Sequence, residues 1–138
     1  MLDQTQSRRS PTGDAKHVLV VDDHDAMRQA LMELIETCDE LRVSAAAASA
    51  EEAVEVLGRA HPDLVVADVE LPGMSGIELT RLLHELRPDL PVLVLSSHPP
   101  GRFEQPALDA GACAYLVKRE AASSLVPIIL EHLNGAEA

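Results

Sequence analysis

Val65-Val66-Ala67-Asp68-Val69-Glu70-Leu71-Pro72-Gly73-Met74-Ser75-Gly76 is a short apolar run that ends on one aspartate and breaks into a Pro/Gly turn. An apolar run of strand length followed by turn chemistry reads as a buried strand that delivers Asp68 to the rim of a sheet. Open α/β sheets carry their chemistry at that rim. A lone carboxylate at a strand end is common and is as easily a cap or turn residue. A second run with the same ending, Val18-Leu19-Val20-Val21-Asp22-Asp23, changes the reading. Three carboxylates on two strand tips call for something positive to hold.

Outward from these two strands the chain alternates strand-like and helix-like segments five times. A helix is expected from Asp25 to Thr37, with Met27, Ala30, Leu31, Leu34 and Ile35 at helical spacing. Leu41 to Ala47 reads as an Ala-rich second strand, and Ser49 with Glu52 is a capping-box signature opening a second helix that His61-Pro62 ends. Asp63 to Ala67 is the third strand, and a third helix runs from about Gly76 to a stop before Pro88. Pro91 to Leu95 and Ala114 to Val117 are strands four and five. Ser123 or Ser124 should cap the last helix, which Asn134-Gly135 ends. Parallel strands need crossover helices, so five β-α units in a row imply a doubly wound parallel sheet of five strands with five helices. In the flavodoxin-like order 2-1-3-4-5, strands one and three are neighbours, which sets Asp22 and Asp23 beside Asp68. A dinucleotide-binding site is excluded by the first β-α turn, which reads Asp-Asp-His-Asp where a pyrophosphate would need glycines.

Composition narrows the function classes. With 138 residues the chain is about one domain, expected at 16–138 after a polar, aperiodic and disordered lead at 1–15. Phe103 and Tyr115 are the aromatic residues, so the core must be Val, Leu, Ile and Ala, as a sheet covered on both faces uses. A net charge of -12 repels a phosphate backbone, so direct nucleic-acid binding is not expected. Cys38 and Cys113 lack metal-site spacing and read as reduced, half-buried residues. No run is apolar over a membrane-spanning length, and no signal-peptide core opens the chain, so a soluble cytoplasmic protein is expected.

These residues resemble a response-regulator receiver domain, of the kind that accepts a phosphoryl group from a histidine kinase or phosphotransfer protein. The matching positions are Asp22-Asp23 after strand one, Asp68 with Leu71-Pro72-Gly73-Met74-Ser75-Gly76 after strand three, Ser96 after strand four, and Tyr115-Leu116-Val117-Lys118 at strand five. Gly111 to Lys118 is most similar to receivers that precede LuxR-type helix-turn-helix domains. The resemblance implies an Asp68 acyl phosphate formed with Mg²⁺, held by Asp23, Asp68, the Glu70 carbonyl and, through water, Asp22. Crowded carboxylates suit a hard divalent cation, and an aspartate can be the nucleophile of phosphoryl transfer. Lys118 would supply positive charge and Ser96 a hydroxyl, with Ser96 and Tyr115 forming the conformational switch. Such a protein is no enzyme on other substrates and catalyses only its own phosphorylation and dephosphorylation.

Two departures stand out. Glu70 and His98 occupy positions that overlook the phosphoryl group in this family and that vary among its members, so they are candidates for tuning. Pro99, Pro100 and Gly101, with Pro106 beyond, fall where this family begins its fourth helix, which should leave it short or late. That weakens the partner surface through the fourth helix and points instead to an edge of Leu125, Ile128, Met27 and Arg28 for a homodimer or a docked kinase. In that reading Val126, Ile129, Leu130 and Leu133 cover the sheet. His24, His61, His84 and His132 read as scattered surface residues. The rival functions are a receiver-like interaction module that is not phosphorylated, and a Mg²⁺-dependent phosphatase with an aspartyl-phosphate intermediate. The phosphatase usually has a second aspartate where Glu70 stands, and the interaction module normally loses one of the acidic pair, the Asp or the Lys.

Overall fold

A computed structural model describes residues 14–135. The expected disordered lead falls outside these residues apart from its last two. Five parallel strands, β1 (Lys16–Val21), β2 (Leu41–Ala47), β3 (Leu64–Asp68), β4 (Val92–Ser96) and β5 (Ala114–Val117), form one sheet in the order β2-β1-β3-β4-β5. The crossovers are α1 (Asp25–Glu36), α2 (Ala50–Ala60), α3 (Gly76–Leu86) and α4 (Pro100–Asp109), and α5 (Ala121–Gly135) follows β5.

Alternation along the strands sorts side chains onto two faces. Leu19, Val21, Val65, Ala67, Val92 and Val94 point to the face covered by α2, α3 and α4. Val18, Val20, Leu64, Val66, Leu93 and Leu95 point to the face covered by α1 and α5. Because both faces are buried, strand residues of both parities are apolar, which is why β3 and β4 read as unbroken runs. Register completes the placement of the site. Val21 pairs with Ala67, so Asp22 and Asp68 sit one step further on at the same rim.

Three expectations are corrected. The prolines before α4 do not delay it. Pro99 is the N-cap and Pro100 the first helical residue, where a missing N–H costs no helical bond, and the helix runs ten residues. The last helix starts at Ala121, ahead of Ser123 and Ser124, because a 3-10 turn at Lys118–Glu120 leads directly into it. Leu125 is no surface residue. It is fully buried with Ile129, and Ala121 and Leu133 are nearly so, a stripe at intervals of four that packs on the sheet. Val126 and Leu130, expected beneath that stripe, flank it half-exposed, as does Ile128. The proposed partner edge thus loses Leu125, and Met27 and Ile128 are half-buried against the α1–α5 core.

Candidate functional site

The β3–α3 connection sets the shape of the site. Ser75 caps α3 with a complete capping box: its Oγ accepts the Glu78 N–H, and the Glu78 carboxylate accepts the Ser75 N–H. Gly76 then packs against the end of β3. A Cβ there would lie 1.9 Å from the Asp68 carbonyl oxygen, and the Gly76 N–H donates to the Val69 carbonyl at 2.8 Å. Residues 69 to 75 therefore form a tight loop rooted on the strand that carries Asp68. Gly73, at φ 72°, makes the left-handed turn within it.

Asp22 and Asp68 are almost completely buried. Nζ of Lys118, just beyond β5, is 2.9 Å from Oδ2 of Asp68 and 3.3 Å from Oδ2 of Asp22. Oδ1 of Asp68 accepts the Glu70 N–H at 3.1 Å, and Oδ1 of Asp22 accepts the His24 N–H at 2.9 Å. Burial pushes the Asp68 carboxyl above the usual carboxylate range, although the Lys118 hydrogen bond and the Glu70 N–H pull it down. For Lys118 burial acts to lower the pKa. The hydrogen bond to Asp68 and the charges of Asp68 and Asp22 outweigh it, so the ammonium is held more firmly than usual.

Three carboxylates around one ammonium leave negative charge uncompensated. Oδ2 of Asp22, although ion-paired, has no hydrogen-bond partner, and neither does the buried Oδ1 of Asp23. One ligand atom each from Asp22, Asp23, His24 and Asp68 lies within 4.8 Å of the others. This oxygen-rich set with orphaned carboxylate atoms fits a hard divalent cation such as Mg²⁺. His24 was expected to be an ordinary surface residue. Its ring is 69% exposed, yet Nδ1 is 3.4 Å from Oδ1 of Asp23 and 3.6 Å from Oδ1 of Asp22.

On the other side of the site, Ser96 is fully buried at the end of β4, and its Oγ accepts the His98 N–H at 3.0 Å. The Tyr115 hydroxyl donates to the His98 carbonyl at 2.9 Å. Nε2 of His98 lies 2.6 Å from Oε2 of Glu70, and its ring meets Phe103 edge-on at 5.2 Å. The hydrogen bond from His98, helped by the charges of Lys118 and Arg102, outweighs the opposing effect of burial and holds the Glu70 carboxyl below its usual range. The residues expected separately as tuning and switch positions thus form one cluster around His98. Sequence spacing gives no sign of this, because Glu70 and His98 are on different connections.

Arg28 was expected at a partner surface. Its guanidinium instead donates to the Asp22 carbonyl at 2.8 Å and to Oδ1 of Asp25 at 2.7 Å. The (i, i+3) spacing of Asp25 and Arg28 was a legible sign of the second contact; the first needs the folded turn.

Comparison with known proteins shows the family. The sequence matches the response regulator receiver domain family over residues 18–130. It is 36% identical over 112 residues to response regulator GacA of Pseudomonas viridiflava, covering 81% of this chain and 52% of GacA. To the DNA-binding transcriptional activator DevR/DosR of Mycobacterium tuberculosis it is 42% identical over 101 residues, covering 73% of this chain and 46% of that protein. The chain spans about half the length of the curated relatives it matches. A LuxR-family two-component response regulator from Aurantimonas sp. SI85-9A1 superposes with a TM-score of 0.82 at 35% identity, covering 86% of this chain and 85% of that one. A CheY-like receiver from Methanospirillum hungatei JF-1 superposes at 0.80 and 30% identity, covering 88% and 96%. Fold, strand-tip carboxylates and sequence agree: the chain belongs to the response-regulator receiver domains, and among them it is similar to those of LuxR-family regulators.

Proposed function

We propose that residues 16–138 form a receiver unit that takes a phosphoryl group onto Asp68 from a phosphohistidine of a kinase or phosphotransfer protein. The observation that carries this reading is the buried Asp68 carboxylate, 2.9 Å from the Lys118 ammonium and crowded by two further carboxylates. An Asp68 oxygen attacks phosphorus, the bond from phosphorus to the donor nitrogen breaks, and its electron pair returns to the donor imidazole. Lys118 is placed to meet the charge that spreads over the phosphoryl oxygens. Ser96 accepts its hydrogen bond from His98 on a lone pair, which leaves its own hydroxyl proton to donate to a phosphoryl oxygen.

Mg²⁺ would be held by the carboxylates of Asp22, Asp23 and Asp68 and the carbonyl of Glu70, Asp22 acting mainly through water. When bound it neutralises the cluster and withdraws charge from the phosphoryl group. Motion of Ser96 toward the phosphoryl group pulls on His98, and through its carbonyl on Tyr115, which makes this loop the switch. Glu70 and His98 tune access to the phosphoryl group. The Glu70 carboxylate is engaged by His98, which argues against its serving as the second acid of a phosphatase. The chain catalyses only its own phosphorylation and dephosphorylation and acts in the cytoplasm. Its charge of -12 sets it against direct contact with DNA. No helix among the described residues is long and apolar enough to cross a membrane.

Incubation with Mg²⁺ and a small acyl phosphate donor, followed by mass spectrometry, should show one added phosphoryl group, removed by hydroxylamine and absent in Asp68→Asn. A modification that survives hydroxylamine, or an unmodified wild-type protein, would sink the reading.

A further inference from the structure

The turn that aims the acidic pair has little to hold it from its own helix. His24 occupies the N-cap of α1 without a side-chain capping bond. Asp22 is tied to β2 through its N–H, which donates to the Ala47 carbonyl at 3.0 Å, and its Oδ1 accepts the His24 N–H, but these bonds leave the Asp22 carbonyl, and with it the peptide leading into Asp23, to be held from elsewhere. Arg28 supplies the hold on that carbonyl. From the first turns of α1 its guanidinium reaches back over the turn, one arm donating to the Asp22 carbonyl and the other to Oδ1 of Asp25. Its side chain is 22% exposed while that of Asp25 is 90% exposed, so the guanidinium lies between the turn and solvent. The two bonds use the planar fork of an arginine, which a lysine cannot reproduce because one ammonium presents a single point charge.

We infer that Arg28 is a positioning residue for the divalent-cation site, fixing the peptide of Asp22 so that the Asp22 and Asp23 carboxylates converge on Asp68. The inference rests on the reading that this cluster holds Mg²⁺. Two effects of Arg28 on that cation oppose each other. Its charge repels the cation, whereas its grip on the Asp22 carbonyl keeps the ligands assembled without an ordering cost at binding. Outer-shell groups that orient ligands are typically worth about 10–100-fold in metal affinity. Repulsion from a partly exposed guanidinium, screened by water and salt, is smaller. Orientation therefore prevails, and the sign of the change on removing Arg28 decides between the two.

The test is Mg²⁺ titration by calorimetry of the wild-type chain, Arg28→Ala and Arg28→Lys, with the thermal midpoint of each measured in EDTA. Arg28→Ala should weaken Mg²⁺ binding by about tenfold. Arg28→Lys, which keeps the charge and loses the fork, should recover only part of that loss. Phosphorylation by a small acyl phosphate should need correspondingly more Mg²⁺ for half-saturation. Equal or tighter Mg²⁺ binding in Arg28→Ala would overturn the inference and leave the phosphoacceptor reading intact. A full return of affinity in Arg28→Lys would also overturn it, because charge alone would then suffice. If Arg28→Ala is unfolded in EDTA, the comparison of Arg28→Lys with wild type decides. Wild-type protein that binds no Mg²⁺ would overturn both this inference and the reading beneath it.

Discussion

At the scale of single residues, Lys118 holds two buried carboxylates that would otherwise face each other. Removing one member of a buried ion pair leaves an uncompensated charge, so Lys118→Ala should be less stable than wild type in EDTA and regain most of that loss with Mg²⁺. Mg²⁺ should bind it at least as tightly, since a competing cation has gone. Phosphoryl transfer should slow by about a hundredfold, the effect of losing one preorganised electrostatic partner. Wild-type transfer rates in this variant would make Lys118 a structural counter-ion only. The Glu70–His98 pair makes a pH prediction. The folded pKa of Glu70 lies below its unfolded value, first because of the His98 hydrogen bond. Its contribution to stability is therefore present above the unfolded glutamate pKa and is lost as pH falls through the lower folded one. The Glu70 carboxyl resonance should titrate below the usual glutamate range and move back toward it in His98→Ala. A midpoint that ignores the His98 substitution would mean that the pair does not persist in solution.

At the scale of elements, two glycines separate backbone necessity from mere tolerance. Gly76 opens α3 against the β3 carbonyl that precedes the loop, and a Cβ 1.9 Å from that oxygen cannot be accommodated without moving the helix start. Gly76→Ala should cost about 1–3 kcal/mol or more, as overpacking does, and slow Asp68 phosphorylation because the loop roots on the same strand. Gly58, inside α2, has open space where a Cβ would go, so Gly58→Ala should raise stability by about 1 kcal/mol. Urea denaturation of both variants checks the pair; a Gly76→Ala midpoint at or above wild type would show that the close approach is not maintained. The α5 stripe carries a further lesson. Ala121, Leu125, Ile129 and Leu133 were all visible as apolar, but a helix with Leu125, Val126, Ile128, Ile129 and Leu130 is apolar nearly all round, and its sequence does not mark the inward face. Docking on the sheet selects it.

At the scale of the whole molecule, a chain of net charge -12 gathers its most buried acidic groups at one rim, so cations act on it in two ways. Screening by any salt relieves general repulsion. Mg²⁺ bound at the rim, as proposed above, would add a specific gain, about 2.7 kcal/mol at a hundredfold excess over its dissociation constant. Thermal unfolding at matched ionic strength should therefore show a higher midpoint in Mg²⁺ than in NaCl, and the difference should shrink in Asp23→Asn. Equal midpoints in the two salts would remove the specific site. Much of this architecture was legible beforehand. Apolar runs closed by turn residues place five strands, and with crossover helices between them they imply a doubly wound sheet, whose flavodoxin-like order β2-β1-β3-β4-β5 sets Asp22 beside Asp68, while the resemblance to receiver domains is what added Lys118 to the site. That information is local or topological: it resides in periodicity and in which strand each residue ends. The contacts of Arg28 with the Asp22 carbonyl, of His98 with Glu70, Ser96 and Tyr115, and of His24 with the acidic pair were decided only by the tertiary structure. They depend on side-chain reach across connections whose backbone paths no spacing rule specifies, and the burial of Leu125 depends on how α5 rotates when its apolar surface meets the sheet.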